Sequence, residues 1–359
     1  MFFRRINACI LATVSLLLAY PLGAAGPTKS GPPKEFAVTE LRLDGGRKLT
    51  FESSISDERQ VKPQRGFWKR LVDTVAGAPE FHHMVRPYGV ITDSRNRVIV
   101  TDPGAVGIHI FDFAQEKYQF LSHTGGKDPL RSPQCVAVDA RGNIYVTDSD
   151  SGKIFVFDEH GKHLRVFGSL KGGEGFFKRP TGIAIDSEAQ RIYLSDTLRN
   201  KIFVLDLQGN VLQTIGQSGE GKGEFNYPTE LRLQGPDLLV VDAMNFRVQV
   251  MSRSGVFQAV IGQIGDEHGG FFRPKGIGVD SEGHIYVVEG LSSVVQVFDR
   301  EGRLLYYFGQ KGTGFGEFQL PAGLFIDGKD RVFVVDSFNR RVQVFQYTAL
   351  AKHYEGQAQ

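Results

Sequence analysis

The alternation of apolar and polar positions is clearest near the C-terminus, in "LPAGLFIDGKDRVFVVDSFNRRVQVF" from Leu320 to Phe345. Apolar alternation runs through Gly323 to Ile326, Val332 to Val335 and Val342 to Phe345, with the polar breaks "DGKD" and "DSFNR" between them. That spacing predicts three antiparallel strands joined by hairpin turns. The arrangement recurs five times upstream. Six prolines, Pro87, Pro133, Pro180, Pro228, Pro274 and Pro321, follow one another at 46, 47, 48, 46 and 47 residues. The acids that end the second strand, Asp102, Asp148, Asp196, Asp242, Glu289 and Asp336, are spaced 46, 48, 46, 47 and 47 apart. Two independent markers keeping one period define a repeat of about 47 residues.

Each period reads "P-x-G-[IV]-x-[VI]-D", then an "IYVTD"-like run, then "KIFVFD" or "RVQVF". A fourth run ends at Phe167-Gly168, Ile215-Gly216, Ile261-Gly262 and Phe308-Gly309 in successive copies. Four strands per repeat cannot bury both faces of one sheet, so such units stack radially. The segments "RPTGIAID", "RPKGIGVD" and "DSFNRRVQVF" resemble the NHL repeat family, over about Arg86 to Tyr347. The resemblance implies an all-β, six-bladed β-propeller of four-stranded antiparallel blades.

The sixth repeat supplies only three strands before the polar tail "ALAKHYEGQAQ". Two β-like runs, Phe36 to Leu43 and Arg47 to Ser53, flank the hairpin signal Asp44-Gly45-Gly46. The second run is expected to supply the missing outer strand and close the ring. Phe67, Trp68, Leu71, Val72 and Val75 fall at helical spacing and predict a short amphipathic helix. In the Gly-rich connectors, Phe177, Phe225, Phe272 and Phe318 are expected to fill the gaps between blades. The expected organisation is a signal peptide at 1–25, a flexible lead and hairpin at 26–46, a closing strand and helix at 47–85, six repeats at 86–347 and a polar tail at 348–359.

The signal reading rests on Arg4 and Arg5, the apolar run Ile10 to Ala19 and the small residues Gly23-Ala24-Ala25. It makes the expected location periplasmic or secreted. No later stretch approaches the ~20 apolar residues of a transmembrane helix. Beyond Cys9 in the signal there is one cysteine, Cys135, so disulfides do not staple the fold. No C-x-x-C-H and no paired cysteines occur, and neither a cofactor nor a metal is expected. Without Arg4 and Arg5 the 42 bases fall to the number of the 40 acids, which disfavours nucleic acid as a partner.

Ligands of propellers collect at the channel mouth, where loops of every blade converge. The residue after each anchoring proline is Tyr88, Gln134, Thr181, Thr229, Lys275 and Ala322 in turn. Lyases built on related repeats commonly present histidine there to hold a metal, and this chain presents none. Where four blades carry glycine two past the proline, blade two has Cys135 and blade four Glu230. Lys275 is the expected partner of Glu230, and a small buried thiol is the expected state of Cys135.

Arg86, Arg179 and Arg273 precede the proline in blades one, three and five. Around a pore they could hold an anion or an acidic segment, and the simpler expectation pairs each with a repeat acid. Lys153, Lys201, Arg247 and Arg341, five past the acid, are expected to bond it across the turn. The leading expectation is a monomeric, non-enzymatic binding or scaffold module for a protein, peptide or polysaccharide. The alternative is a channel-mouth lyase or hydrolase using Glu230, Lys275, Tyr88 and Cys135.

Overall fold

The computed structural model describes residues 40–349 apart from 44–45, 62–80, 123 and 125–127, all within the unit Ala37–Gln359. The expected signal peptide, the start of the lead, the helix around Trp68 and most of the tail lie outside the described residues. Among the described residues there is no α-helix, and none is long and apolar enough to cross a membrane.

The described residues form six antiparallel sheets, five of them with four strands in chain order. Blade two shows the plan: Pro133–Val138, Ile144–Asp148, Lys153–Phe157 and His163–Phe167. The first strand of each sheet touches the first strand of the next, and that of blade six touches blade one, so the blades form a closed ring. The two middle strands are buried on both faces, as in Ile144–Asp148 and Lys153–Phe157, which is why they read as continuous apolar runs. Outer strands face solvent, as Val211–Ile215 does over four of its five residues.

Blade six has five strands. Lys48–Ile55 pairs antiparallel with Arg341–Thr348, setting Phe51 opposite Phe345 and Ile55 opposite Val342. Glu40–Arg42 adds outside it by the predicted hairpin. The N-terminal segment thus closes the ring as expected, and continues one strand further. Leu49, 3% exposed, packs with Tyr286 and Phe308 of blade five and with Phe345 and Tyr347 of blade six.

Every gap between neighbouring blades holds a core of this kind. Phe177, Phe225 and Phe318 are buried in those cores, but Phe272 is 43% exposed and Phe271 is buried in its place. The wedge position is three residues before the proline, and in "GGFFRP" that residue is Phe271. The expectation for Phe272 was one residue out of register.

Candidate functional site

The repeat acids shape the channel mouth. Asp102 accepts the backbone N–H groups of Val85 and Arg86 at 2.6 and 2.9 Å, and Asp148 those of Arg131 and Ser132 at 2.6 and 2.9 Å. Asp196 does the same for Lys178 and Arg179, and Glu289 for Phe272 and Arg273. These acids are at most 4% exposed. A buried carboxylate needs hydrogen-bond donors, and the segment before each proline supplies them from its backbone. Hydroxyls on the second strands then tie one inner strand to the next, as Thr147 Oγ1 donates to the Thr181 carbonyl at 2.6 Å.

This corrects the expected pairing of arginines with repeat acids. The acids hold the backbone of Arg86, Arg179 and Arg273, and among the described residues no carboxylate lies within ion-pair distance of the three guanidinium groups. The expected bond from acid to base across the turn holds in blades four and six, with Arg247 to Asp242 at 2.9 Å and Arg341 to Asp336 at 2.8 Å. In blade two Lys153 reaches Asp128 instead, at 2.6 Å, and in blade three Arg199 meets Asp196 at 3.6 Å.

The mouth opens into a cavity of about 620 Å³. Arg86, Tyr88, Gln134, Arg179 and Thr181 line it, and so do Thr229, Arg273 and Lys275. Eight of the ten expected residues are therefore brought together. Among the described residues no aspartate, glutamate or histidine lines this cavity.

Cys135 and Glu230 lie one residue further along their strands and are not among the residues that line the cavity. At that level the inner strands of neighbouring blades touch: Gly276 N–H donates to the Ala322 carbonyl at 2.9 Å and Gly323 N–H to the Tyr88 carbonyl at 2.8 Å. A Cβ on Gly89 would meet the Gln134 carbonyl at 2.7 Å, and one on Gly182 would run into Thr229. At positions 89 and 182 glycine is required, because a side chain would run into the backbone of the next blade.

The Cys135 thiol donates to Glu230 Oε2 at 3.1 Å, and Glu230 Oε1 lies 3.9 Å from Arg232. The Arg232 guanidinium crosses the channel to the carbonyls of Ile277 and Leu324, at 3.1 and 2.9 Å, over the ring of Phe325. The expected Glu230 to Lys275 pair does not form. Alternate residues of a strand share a face, so Glu230 finds Arg232 on its own strand, whereas Lys275 follows Pro274 on the other parity.

Burial pushes the Cys135 thiol well up, reinforced by the Glu230 charge beside it. Burial also raises the Glu230 carboxyl and lowers Arg232, each opposed by the other's charge. A thiol held protonated is a poor nucleophile. The Lys275 ammonium stands 5.4 Å from the Tyr88 ring centre, and burial, with Arg273 and Arg86 nearby, brings its pKa down to about 8. Burial raises the Tyr88 phenol.

The rim carries residues that sequence reasoning missed. Tyr227, Met244, Phe272 and Phe338 line the mouth and are 41 to 51% exposed. Arg86 sits over Phe338, 5.6 Å from its centre. One signal was available: Leu198, Met244, Leu291 and Phe338 each stand two past the repeat acid, an apolar residue in a polar turn, and all are exposed. Thr229 Oγ1 is buried at the mouth with no hydrogen-bond partner among the described residues. Nor do those residues include a group of three or more His, Cys, Asp or Glu side chains placed to hold a metal ion.

A family model described as 6-bladed beta-propeller matches residues 129–215, 183–237 and 280–357, together more than half of the chain. No curated protein sequence matches it. Among solved structures it is similar to virginiamycin B lyase from Staphylococcus aureus, at 15% identity and TM-score 0.54 over 73% of this chain and 95% of that one. An auxiliary nutrient binding protein from Bacteroides thetaiotaomicron VPI-5482 matches at 13% identity and TM-score 0.57, over 74% and 70%. Kuenenia stuttgartiensis hydrazine synthase matches at 14% and TM-score 0.52, over 77% and 99%. Such distant likenesses establish the fold alone. With six closed blades and a family match spanning most of the repeats, this chain belongs to the 6-bladed beta-propeller family.

Proposed function

We propose that this chain is an exported, NHL-type β-propeller that binds its ligand in the channel mouth and works as a binding or scaffold module for a peptide, protein or polysaccharide. The observation that carries this reading is the cavity itself. It has the size of a ligand site, and it combines cations that have no carboxylate partner among the described residues with exposed aromatic rings. Of the groups of the lyase alternative, Tyr88 and Lys275 line the cavity, while Cys135 and Glu230 bond each other outside its lining, with Tyr88 packed against the cluster that holds Cys135. Lys275, with its pKa near 8, is the residue that alternative would need as a base. Neighbours of this fold include a lyase and a nutrient-binding protein, so the fold accommodates either reading.

A thermal-shift panel of small molecules, peptides and glycans tests the site, run on the parent and on Phe272→Ala/Phe338→Ala. Both side chains are exposed, so the variant retains its fold. A ligand that stabilises the parent and not the variant supports the mouth as the site. Equal shifts in both proteins exclude it, and ligand turnover abolished by Lys275→Met replaces binding with the lyase reading.

A further inference from the structure

We infer that the channel mouth recognises an acidic oligosaccharide, a short chain of sugar rings bearing carboxylate or sulfate groups. This rests on the mouth being the ligand site, and names the chemistry that the site takes. Four cations, Arg86, Arg179, Arg273 and Lys275, line one cavity that no acid among the described residues lines. The arginines stand on blades one, three and five, so positive charge surrounds the mouth. Several anionic groups spread along a ligand match that distribution better than one. An arginine fork without a partner is suited to a planar carboxylate or a sulfate.

The remaining groups separate a sugar from a peptide. A peptide in an extended groove is held by main-chain hydrogen bonds. At this mouth the donors before the prolines are already taken by the buried acids, as at Arg86, Arg179 and Arg273. What stays open is side-chain chemistry. Phe272, Phe338 and Tyr227 are exposed rings, Phe338 with Arg86 over one face, and their negative quadrupole suits the C–H face of a sugar ring. Thr229 Oγ1, buried and unpartnered, is a hydroxyl awaiting a polar group, and a buried hydroxyl left unpaired is destabilising. Charges for acid groups, rings for sugar faces and a hydroxyl for hydroxyls are thus collected in one cavity.

Calorimetric titration of the full chain at neutral pH and about 50 mM salt, where exposed charges are weakly screened, supplies the test. The probes are trigalacturonic acid, neutral maltotriose and hexaglutamate, against the parent and Arg179→Gln/Arg273→Gln. Both arginines are exposed and unpaired among the described residues, so the double variant should melt like the parent. Trigalacturonic acid is expected to bind the parent, to weaken about tenfold or more in the double variant, and to weaken with added salt. Maltotriose and hexaglutamate are expected to bind far more weakly. Trigalacturonic acid giving no heat, or binding the double variant as well as the parent, overturns the inference. Hexaglutamate binding more tightly overturns it in favour of an acidic peptide. Maltotriose binding while trigalacturonic acid does not overturns the acidic ligand yet leaves the mouth a binding site, which separates this failure from that of the broader reading.

Discussion

Glu230 and Arg232 stand two apart on one inner strand, and the pleat turns both into the channel. Their side chains keep 13 and 19% of their exposure, so each is the other's main compensation for lost solvent. Glu230→Gln should therefore destabilise the protein by about 1–3 kcal/mol, the cost of leaving a buried charged group short of a partner. Urea unfolding checks this as a lower midpoint at unchanged slope. Lys275 provides a test with the opposite sign. Its ammonium is held at about 8 against an ordinary 10.5, so between those values the unfolded chain binds more protons and stability rises with pH. The charged groups about it are Arg273, Arg86 and Glu289, with Tyr88 beneath. Lys275→Met should melt higher than the parent at pH 7, and the difference should shrink as pH rises from 8 to 10.5. A difference independent of pH would show that Lys275 keeps its ordinary proton affinity.

Among the elements, Lys48–Ile55 is the one that joins the two ends of the chain. It presents Leu49 and Ile55 to two different inter-blade cores, on either side of blade six. Alternate burial along a strand does this only if the register is fixed, and the bulge between Phe51 and Ser53 sets it. Leu49→Ala should cost about 2–5 kcal/mol, as for buried leucines elsewhere, although the residue lies far from the repeats in sequence. A Tm within a degree or so of the parent would show that the strand does not close the ring. The strand was legible as a β-like run, and the three-stranded sixth repeat showed that a partner was missing. The additional strand Glu40–Arg42 was legible as half of a hairpin, though not as an extension of blade six.

For the whole molecule, closure makes every blade depend on two neighbours. An open repeat array can fray from its ends, whereas a ring has no end to fray. Heat unfolding followed by far-ultraviolet circular dichroism and by calorimetry should accordingly give one coincident transition. Two separated transitions would mean that the blades open independently. The charge pattern also belongs to this scale. Bases and acids nearly balance along the chain, 42 against 40, yet the mouth gathers four cations and, among the described residues, no acid. Overall composition conceals this, because the neutralising acids are spent on backbone amides inside the blades.

The period of the prolines and acids determined six blades from the sequence alone, since a repeated strand pattern is a local property that each copy states again. The same markers located the mouth, which is why eight of the ten expected residues line one cavity. Partners across the channel were decided only by the tertiary structure. Whether Glu230 meets Lys275 or Arg232, and whether an acid takes a guanidinium or a backbone N–H, depend on distances between segments remote in sequence, whereas the burial of Phe271 was legible in its place three residues before Pro274. Those distances are set by how closely glycine lets the inner strands approach, and no single repeat contains that information.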